Sequence, residues 1–188
     1  MVSKRNAGIL LSVVGVGAVV VPLLVYNYTQ LQERNTNPWN VFIFGSGTTG
    51  NVTISYDELR SGDYQILHNG KFDILNRLDY SYTYSYTGVV LWDLLQQSGV
   101  VAPNATEFRF WAEDNYRCEP LPLSLAESYP TEVILAWEED NKILKPRRKG
   151  GDGPLRSVVN LTISQQLDPP TYNSQFWVKY TNAIEIIS

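Results

Sequence analysis

The chain opens on one continuous apolar run and then breaks into short alternating segments. Lys4 and Arg5 precede nineteen uncharged residues, Gly8 to Tyr26. At 1.5 Å per residue such a run makes a helix of roughly 28 Å, close to the hydrocarbon thickness of a bilayer. The pattern predicts a single transmembrane anchor over residues 1–28. The positive charges stand before the run, so the positive-inside rule keeps the N-terminus in the cytoplasm and the remainder outside the cell membrane. A cleaved signal peptide is the competing reading, with Gly15 and Gly17 as the small residues of the cleavage site. Cutting there strands the apolar stretch Ala18 to Tyr26, so the uncleaved anchor accounts for more of the run. A polar stalk, residues 29–38, then leads to one domain, residues 39–188, long enough to bury a sizeable core.

Within the domain the hydrophobic periodicity changes repeatedly between two and 3.6. Val41 to Phe44 reads as a buried strand, and Val52 with Ile54 as a second. Ser55 and Glu58 have the spacing of a capping box, which starts a short helix over Tyr56 to Arg60. Tyr64 to Leu67 and Lys71 to Leu75 read as a hairpin joined by an Asn69-Gly70 type I′ turn. Tyr80, Tyr82, Tyr84 and Tyr86 alternate with Ser81, Thr83, Ser85 and Thr87, which places a row of tyrosines on one face of a strand. That row is either an aromatic wall for a flat ligand or a strand laying its rings on the core with hydroxyls toward solvent; the second reading needs only ordinary strand packing. Val89 to Gln97 reads as a helix stopped at Gly99. Strands follow at Glu107 to Ala112, Val133 to Trp137, Arg156 to Leu161 and Ala183 to Ile187. A short helix over Leu123 to Tyr129 and a turn at Asp140-Asn141 complete a mixed, strand-rich α+β pattern.

Charge and cysteine content then narrow the function. All 19 acidic residues follow the anchor with 13 of the 15 basic ones, so this part carries a net charge of −6. That balance disfavours nucleic acid as a partner. A single cysteine, Cys118, and a single histidine, His68, supply neither an intramolecular disulfide nor a His/Cys metal site. Cys118 is expected to be a buried structural thiol. Asn27, Asn51, Asn104 and Asn160 each begin an N-x-Thr triplet. Asn27 lies at the membrane exit, which leaves Asn51, Asn104 and Asn160 as glycosylation candidates.

From Tyr86 onward the order of motifs resembles the sulfite-oxidase-like oxidoreductase molybdopterin-binding domain family. The resemblance spans about 100 residues and is distributed over several segments. Tyr86 to Leu95 is similar to the family's Y-x-G-V-x-L-x-D-L-L pattern, and Asp114-Asn115-Tyr116 stands where Asp-Gly-Tyr is usual. Ile134 to Glu138 resembles I-L-A-Y-E, and Gly151 to Arg156 resembles G-G-P-L-R with one inserted Asp. Phe176-Trp177-Val178-Lys179 with Ile184-Glu185-Ile186 resembles the closing K-W-V and I-E-V. The resemblance implies a sulfite-oxidase-type molybdopterin-binding fold and a pterin phosphate near Gly151, Gly153 and Arg156, held by backbone donors and a guanidinium. A tight loop beside a solvated charge run (Lys142, Lys145, Arg147, Arg148, Lys149) is the plainer account of the same residues.

The departures bear on function. Family enzymes give molybdenum a cysteine thiolate from before the Y-x-G-V helix; here Phe72 to Thr87 contains no cysteine, and Cys118 comes after the helix. Neighbouring hydroxyls do not replace a soft thiolate. Asn160 occupies a position commonly proline, and no twin-arginine export pattern appears. Glu113 with Asp114 is a weak acid–base candidate pair, and Glu138, Glu139 and Asp140 a weak hard-cation cluster. No catalytic residue and no metal ligand is assigned. The expectation is a non-catalytic binding or assembly module without a cofactor, its protein or small-molecule partner unidentified; the alternative is a molybdopterin-dependent oxidoreductase with atypical metal ligation.

Overall fold

The computed structural model describes residues 39–188. The anchor predicted over residues 8–26, the stalk and the Asn27 triplet lie outside the described residues. Among the described residues no helix is long and apolar enough to cross a membrane.

Two five-stranded sheets share one hydrophobic core. The first is ordered β2-β1-β10-β5-β6, formed by β1 (Val41–Phe44), β2 (Val52–Ile54), β5 (Glu107–Ala112), β6 (Leu121–Pro122) and β10 (Thr181–Ile187). Its β1–β10 pairing is parallel and its other pairings antiparallel. The second sheet runs β3 (Ile66–Leu75), β4 (Ser81–Val90), β7 (Val133–Glu139) and β8 (Lys142–Ile143), with β9 (Arg156–Val159) also pairing β7. Phe108, Phe110 and Ile184 from the first sheet join Phe72, Val89, Leu135 and Val158 from the second in one buried cluster. This is the strand-rich α+β architecture that the alternating pattern predicts.

Among the described residues there are four short α-helices: α1 (Tyr56–Leu59), α2 (Leu91–Ser98), α3 (Leu123–Ser128) and α4 (Leu161–Gln165). Both bonds of the Ser55–Glu58 capping box form, the Ser55 amide donating to the Glu58 carboxylate at 2.7 Å and the Glu58 amide to Ser55 Oγ at 3.2 Å. Helix α2 buries Leu91, Leu94 and Leu95 and ends at Gly99, whose φ of 65° is the left-handed cap that glycine reaches without a Cβ penalty.

One predicted turn is corrected. Asn69 and Gly70 lie inside β3, where the register with β4 shifts between Leu67 and Gly70. A type I′ turn needs positive φ at both residues, but only Asn69 has it, at 51°. The Asn69 amide donates to Thr87 Oγ1 at 3.2 Å, so a bulge replaces the hairpin turn. The true β3–β4 turn spans Asn76 to Tyr80, with Asn76 Oδ1 accepting from the amides of Leu78 and Tyr80. At Asp140 and Asn141 the expected turn forms, with φ of 48° and 61°.

The tyrosine row is graded along β4. Tyr86 is 1% exposed, Tyr84 half-buried, Tyr82 49% exposed and Tyr80 58% exposed. The gradient arises because β7 pairs with β4 only from Tyr86 to Val90. The outer part of the β3–β4 hairpin therefore extends past the core.

Candidate functional site

Three of the motif segments meet on one face of the domain. The turn after β5, the Gly151–Arg156 loop and the Trp177–Tyr180 segment are joined by main-chain bonds: Glu113 N–H donates to the Tyr180 carbonyl at 2.9 Å, and Tyr180 N–H to the Asp152 carbonyl at 3.0 Å. These bonds hold Tyr180 at a φ of 57°, an uncommon conformation for a bulky side chain. Next to it lies a cleft of about 270 Å³, lined by Asp114, Tyr116, Gln175, Trp177, Lys179 and Tyr180 among others. The Tyr116 hydroxyl donates to the Gln175 carbonyl at 3.3 Å, and Arg147 pairs with Asp114 at 3.4 Å while lying over the Tyr180 ring.

Arg156, at the start of β9, is the centre of the adjoining polar network. Its Nη1 lies 3.0 Å from Glu139 Oε2 and 3.5 Å from Asp152 Oδ2. Lys179 Nζ reaches the same Asp152 oxygen at 3.0 Å. The guanidinium also faces the rings of Trp177 and Tyr86, at 5.4 and 6.0 Å. Tyr86 donates its hydroxyl to Glu139 Oε2 at 2.6 Å. Burial raises the Tyr86 phenol well above its ordinary pKa; Arg156 opposes that shift and Glu139 adds to it. Two cations and two carboxylates thus balance one another, and this arrangement holds the Asp152 loop, β7 and the Trp177 segment together.

The three glycine amides of the loop are not free donors. Gly150 N–H donates to Arg147, Gly151 N–H to Pro146 and Gly153 N–H to Lys145, all to main-chain carbonyls of the preceding turn. A Cβ on Gly151 would collide with the Lys145 backbone, so close packing explains that glycine.

Cys118 is 2% exposed, and its sulfur accepts the Phe110 amide at 3.3 Å. Burial pushes its thiol up to about 11. Asn160 caps α4, its Oδ1 accepting from Leu161 N–H at 2.8 Å and from Asp73 N–H at 3.1 Å. Its Nδ2 donates to the Lys71 carbonyl at 3.4 Å. The amide nitrogen of this triplet therefore has a structural task, whereas Asn51 and Asn104 are exposed. Glu113 and Asp114 do not act together: Asp114 faces Arg147, and Glu113 is tied through its backbone to Tyr180. Glu138, Glu139 and Asp140 also diverge. Glu139 turns to Tyr86 and Arg156, and Asp140 Oδ1 accepts the Ser85 amide at 3.1 Å. Among the described residues no three His, Cys, Asp or Glu side chains gather as a metal site.

Asp152 and Lys179 complete the charge balance although periodicity gave no sign of them. Asp152 sits at the position inserted into the G-G-P-L-R pattern, which was the one available signal. Phe176, buried at the base of the site, stands where the K-W-V pattern has lysine.

A fold of two sheets with this motif order and loop cluster is that of a molybdopterin-binding oxidoreductase domain. The family model described as "Oxidoreductase molybdopterin binding domain" matches residues 28–187, and the chain belongs to that family. The structure is similar to the crystal structure of the sulfane dehydrogenase SoxCD from Paracoccus pantotrophus, with a TM-score of 0.54 and 15% identity. That likeness is one of fold, and it covers 79% of this chain and 38% of the SoxCD chain. A search of curated proteins gives no match.

The side chains present do not fit the pterin cofactor that the family name implies. The one thiol of the chain points into the core, the amides of Gly150, Gly151 and Gly153 are satisfied by carbonyls, and the Arg156 charge is met by two carboxylates. Arg156 Nε lacks a hydrogen-bond partner, but it is sealed from the surface and offers a ligand no contact.

Proposed function

We propose that this protein is a membrane-anchored, extracytoplasmic member of the molybdopterin-binding oxidoreductase family that acts as a non-catalytic binding or assembly module. The observation that carries the reading is the charge balance at Arg156. In a site built for a phosphate, the guanidinium keeps donors free for bidentate anion recognition. Here Nη1 already faces the carboxylates of Glu139 and Asp152, which balance the guanidinium charge. Desolvating an anion beside these carboxylates would be unfavourable, because like charges repel more strongly where water is excluded. The buried position of Cys118 agrees with this, since a thiol raised to about 11 by burial resists the deprotonation that metal ligation needs.

The anchored part of the proposal rests on Lys4, Arg5 and the run from Gly8 to Tyr26. Protease added to sealed, right-side-out vesicles tests it. Digestion of the domain is expected, and full protection would contradict the topology. The non-catalytic part is tested by elemental analysis of the purified full chain for molybdenum and tungsten, with far less than one metal per chain expected.

A further inference from the structure

We propose that the outer edge of β4 between Ser81 and Tyr84 accepts an extended segment of a partner protein by strand addition. This inference names a partner class for the binding module and rests on that reading; its test reads peptide binding, whereas metal content tests the module reading itself.

The direction of the main-chain groups follows from the bonds on either side of the hairpin. Asp73 and Leu75 of β3 stand opposite Thr83 and Ser81. Their amides point away from β4, to the side chains of Asn160 at 3.1 Å and Asn173 at 2.7 Å. In an antiparallel pair, residues whose partners face outward face outward themselves, so Ser81 and Thr83 direct their N–H and C=O groups to the opposite edge. Ser85, in the same phase, confirms the direction: its amide donates to Asp140 Oδ1 at 3.1 Å and its carbonyl accepts the Asp140 amide at 2.8 Å. The fold thus caps the outer edge of β3 with two asparagines and closes the β4 edge at Ser85. Among the described residues nothing pairs with Ser81 or Thr83 on that edge.

The open stretch has the chemistry of a strand-accepting edge. No lysine, proline or bulge blocks it between Ser81 and Tyr84, the devices by which exposed edges are protected. The half-exposed rings of Tyr80 and Tyr82 line one face beside it, and Leu78 at the hairpin tip is 75% exposed. Two outward residues present two donors and two acceptors at strand spacing, which an extended backbone satisfies while its alternate side chains lie on the tyrosines.

The dimensions select a segment over a second copy. Four residues span only about 14 Å of edge, and a contact that long and one strand wide cannot by itself bury the roughly 800 Å² per partner of a stable dimer. A two-fold pairing that set Ser81 against Thr83 of a second copy would bring that copy's Asp79 opposite Ser85, where Asp140 already sits. Asp79 in the turn and Asp140 at Ser85 stand at the two ends of the open stretch, with Arg77 in the same turn, which favours a segment with basic residues flanking apolar or aromatic ones.

The experiment selects a phage-displayed linear peptide library on the full chain in lipid nanodiscs and measures the enriched peptides by titration and amide hydrogen exchange. Peptides with alternating apolar or aromatic residues are expected to protect the Ser81 and Thr83 amides. Thr83→Pro removes the outward donor together with the hydroxyl bond to Asp73 and should weaken binding at least tenfold, while Thr83→Val, which removes the hydroxyl alone, should not. Tyr82→Ser, which leaves the backbone intact, should also weaken binding and serves if Thr83→Pro fails to fold. Enrichment of no peptide, binding indifferent to both variants, or a dimer of the chain dissolved by Thr83→Pro would each overturn the proposal.

Discussion

Replacing Arg156 with methionine separates a structural bridge from an anion anchor. Methionine keeps the apolar stem and removes the guanidinium. The arginine side chain is 12% exposed, and the Glu139 contact at 3.0 Å is a charge-assisted bond worth about 2 kcal/mol. Asp152 lies farther away, is about a third exposed and has Lys179 as a second cation, so its share is only about 0.3 kcal/mol. Facing Trp177 adds about 0.5–1 kcal/mol. The expected loss is therefore about 3 kcal/mol, a fall in Tm of roughly 6–12 °C for a domain of this size. Glu139→Gln alone and the double variant complete a cycle, read by thermal and urea unfolding of the full chain in detergent. A coupling of about 1–2 kcal/mol is expected, since the two side chains share one contact. Had Arg156 been kept for an absent anion, its charge would be uncompensated and its removal neutral or stabilising. A neutral Arg156→Met together with coupling below about 0.5 kcal/mol would refute the bridge.

Further outcomes follow from single residues. Asn173, fully buried, accepts from Leu75 N–H and donates to the Asp73 and Val159 carbonyls, so Asn173→Ala should cost about 3 kcal/mol in urea unfolding by leaving buried groups unpaired. Cys118 should resist alkylation in the native protein. Its raised pKa means that the unfolded chain loses the proton first, so stability is full below about pH 9 and falls as the pH rises toward 11, and Cys118→Ala should remove that part of the alkaline slope. Burial of Tyr86 acts in the same direction at higher pH, and Tyr86→Phe should lessen it. In a glycosylating host, mass spectrometry should find glycan at Asn51 or Asn104 and none at Asn160, whose replacement by alanine should cost about 1 kcal/mol through loss of the α4 cap.

Local rules recovered what depends on local chemistry. The Ser55–Glu58 box, the Gly99 cap and the strand Glu107–Ala112 fall where spacing and periodicity put them. Asn69-Gly70 misled because a dipeptide suited to a hairpin also suits a bulge, and Thr87 supplied the bond that decided between them. The real turn at Asn76 to Tyr80 contains neither glycine nor proline and relies on an asparagine side chain. The tyrosine alternation was legible, but its gradient was not, because it depends on where β7 ends. At the site, sequence nominated Arg156 and the glycine loop yet could not show that Glu139 and Asp152 compensate the charge. That compensation joins residues from β7, a loop and β9, and only the folded topology brings them together.

The central claim, that the fold persists without its family's cofactor chemistry, is tested most directly by counting molybdenum and pterin per chain in wild type and Cys118→Ser, both purified from a host that makes the cofactor. The account predicts far less than one equivalent of either in both proteins, with the wild type folded. Near-equimolar metal and pterin in the wild type, lost in Cys118→Ser, would contradict it and restore the enzyme.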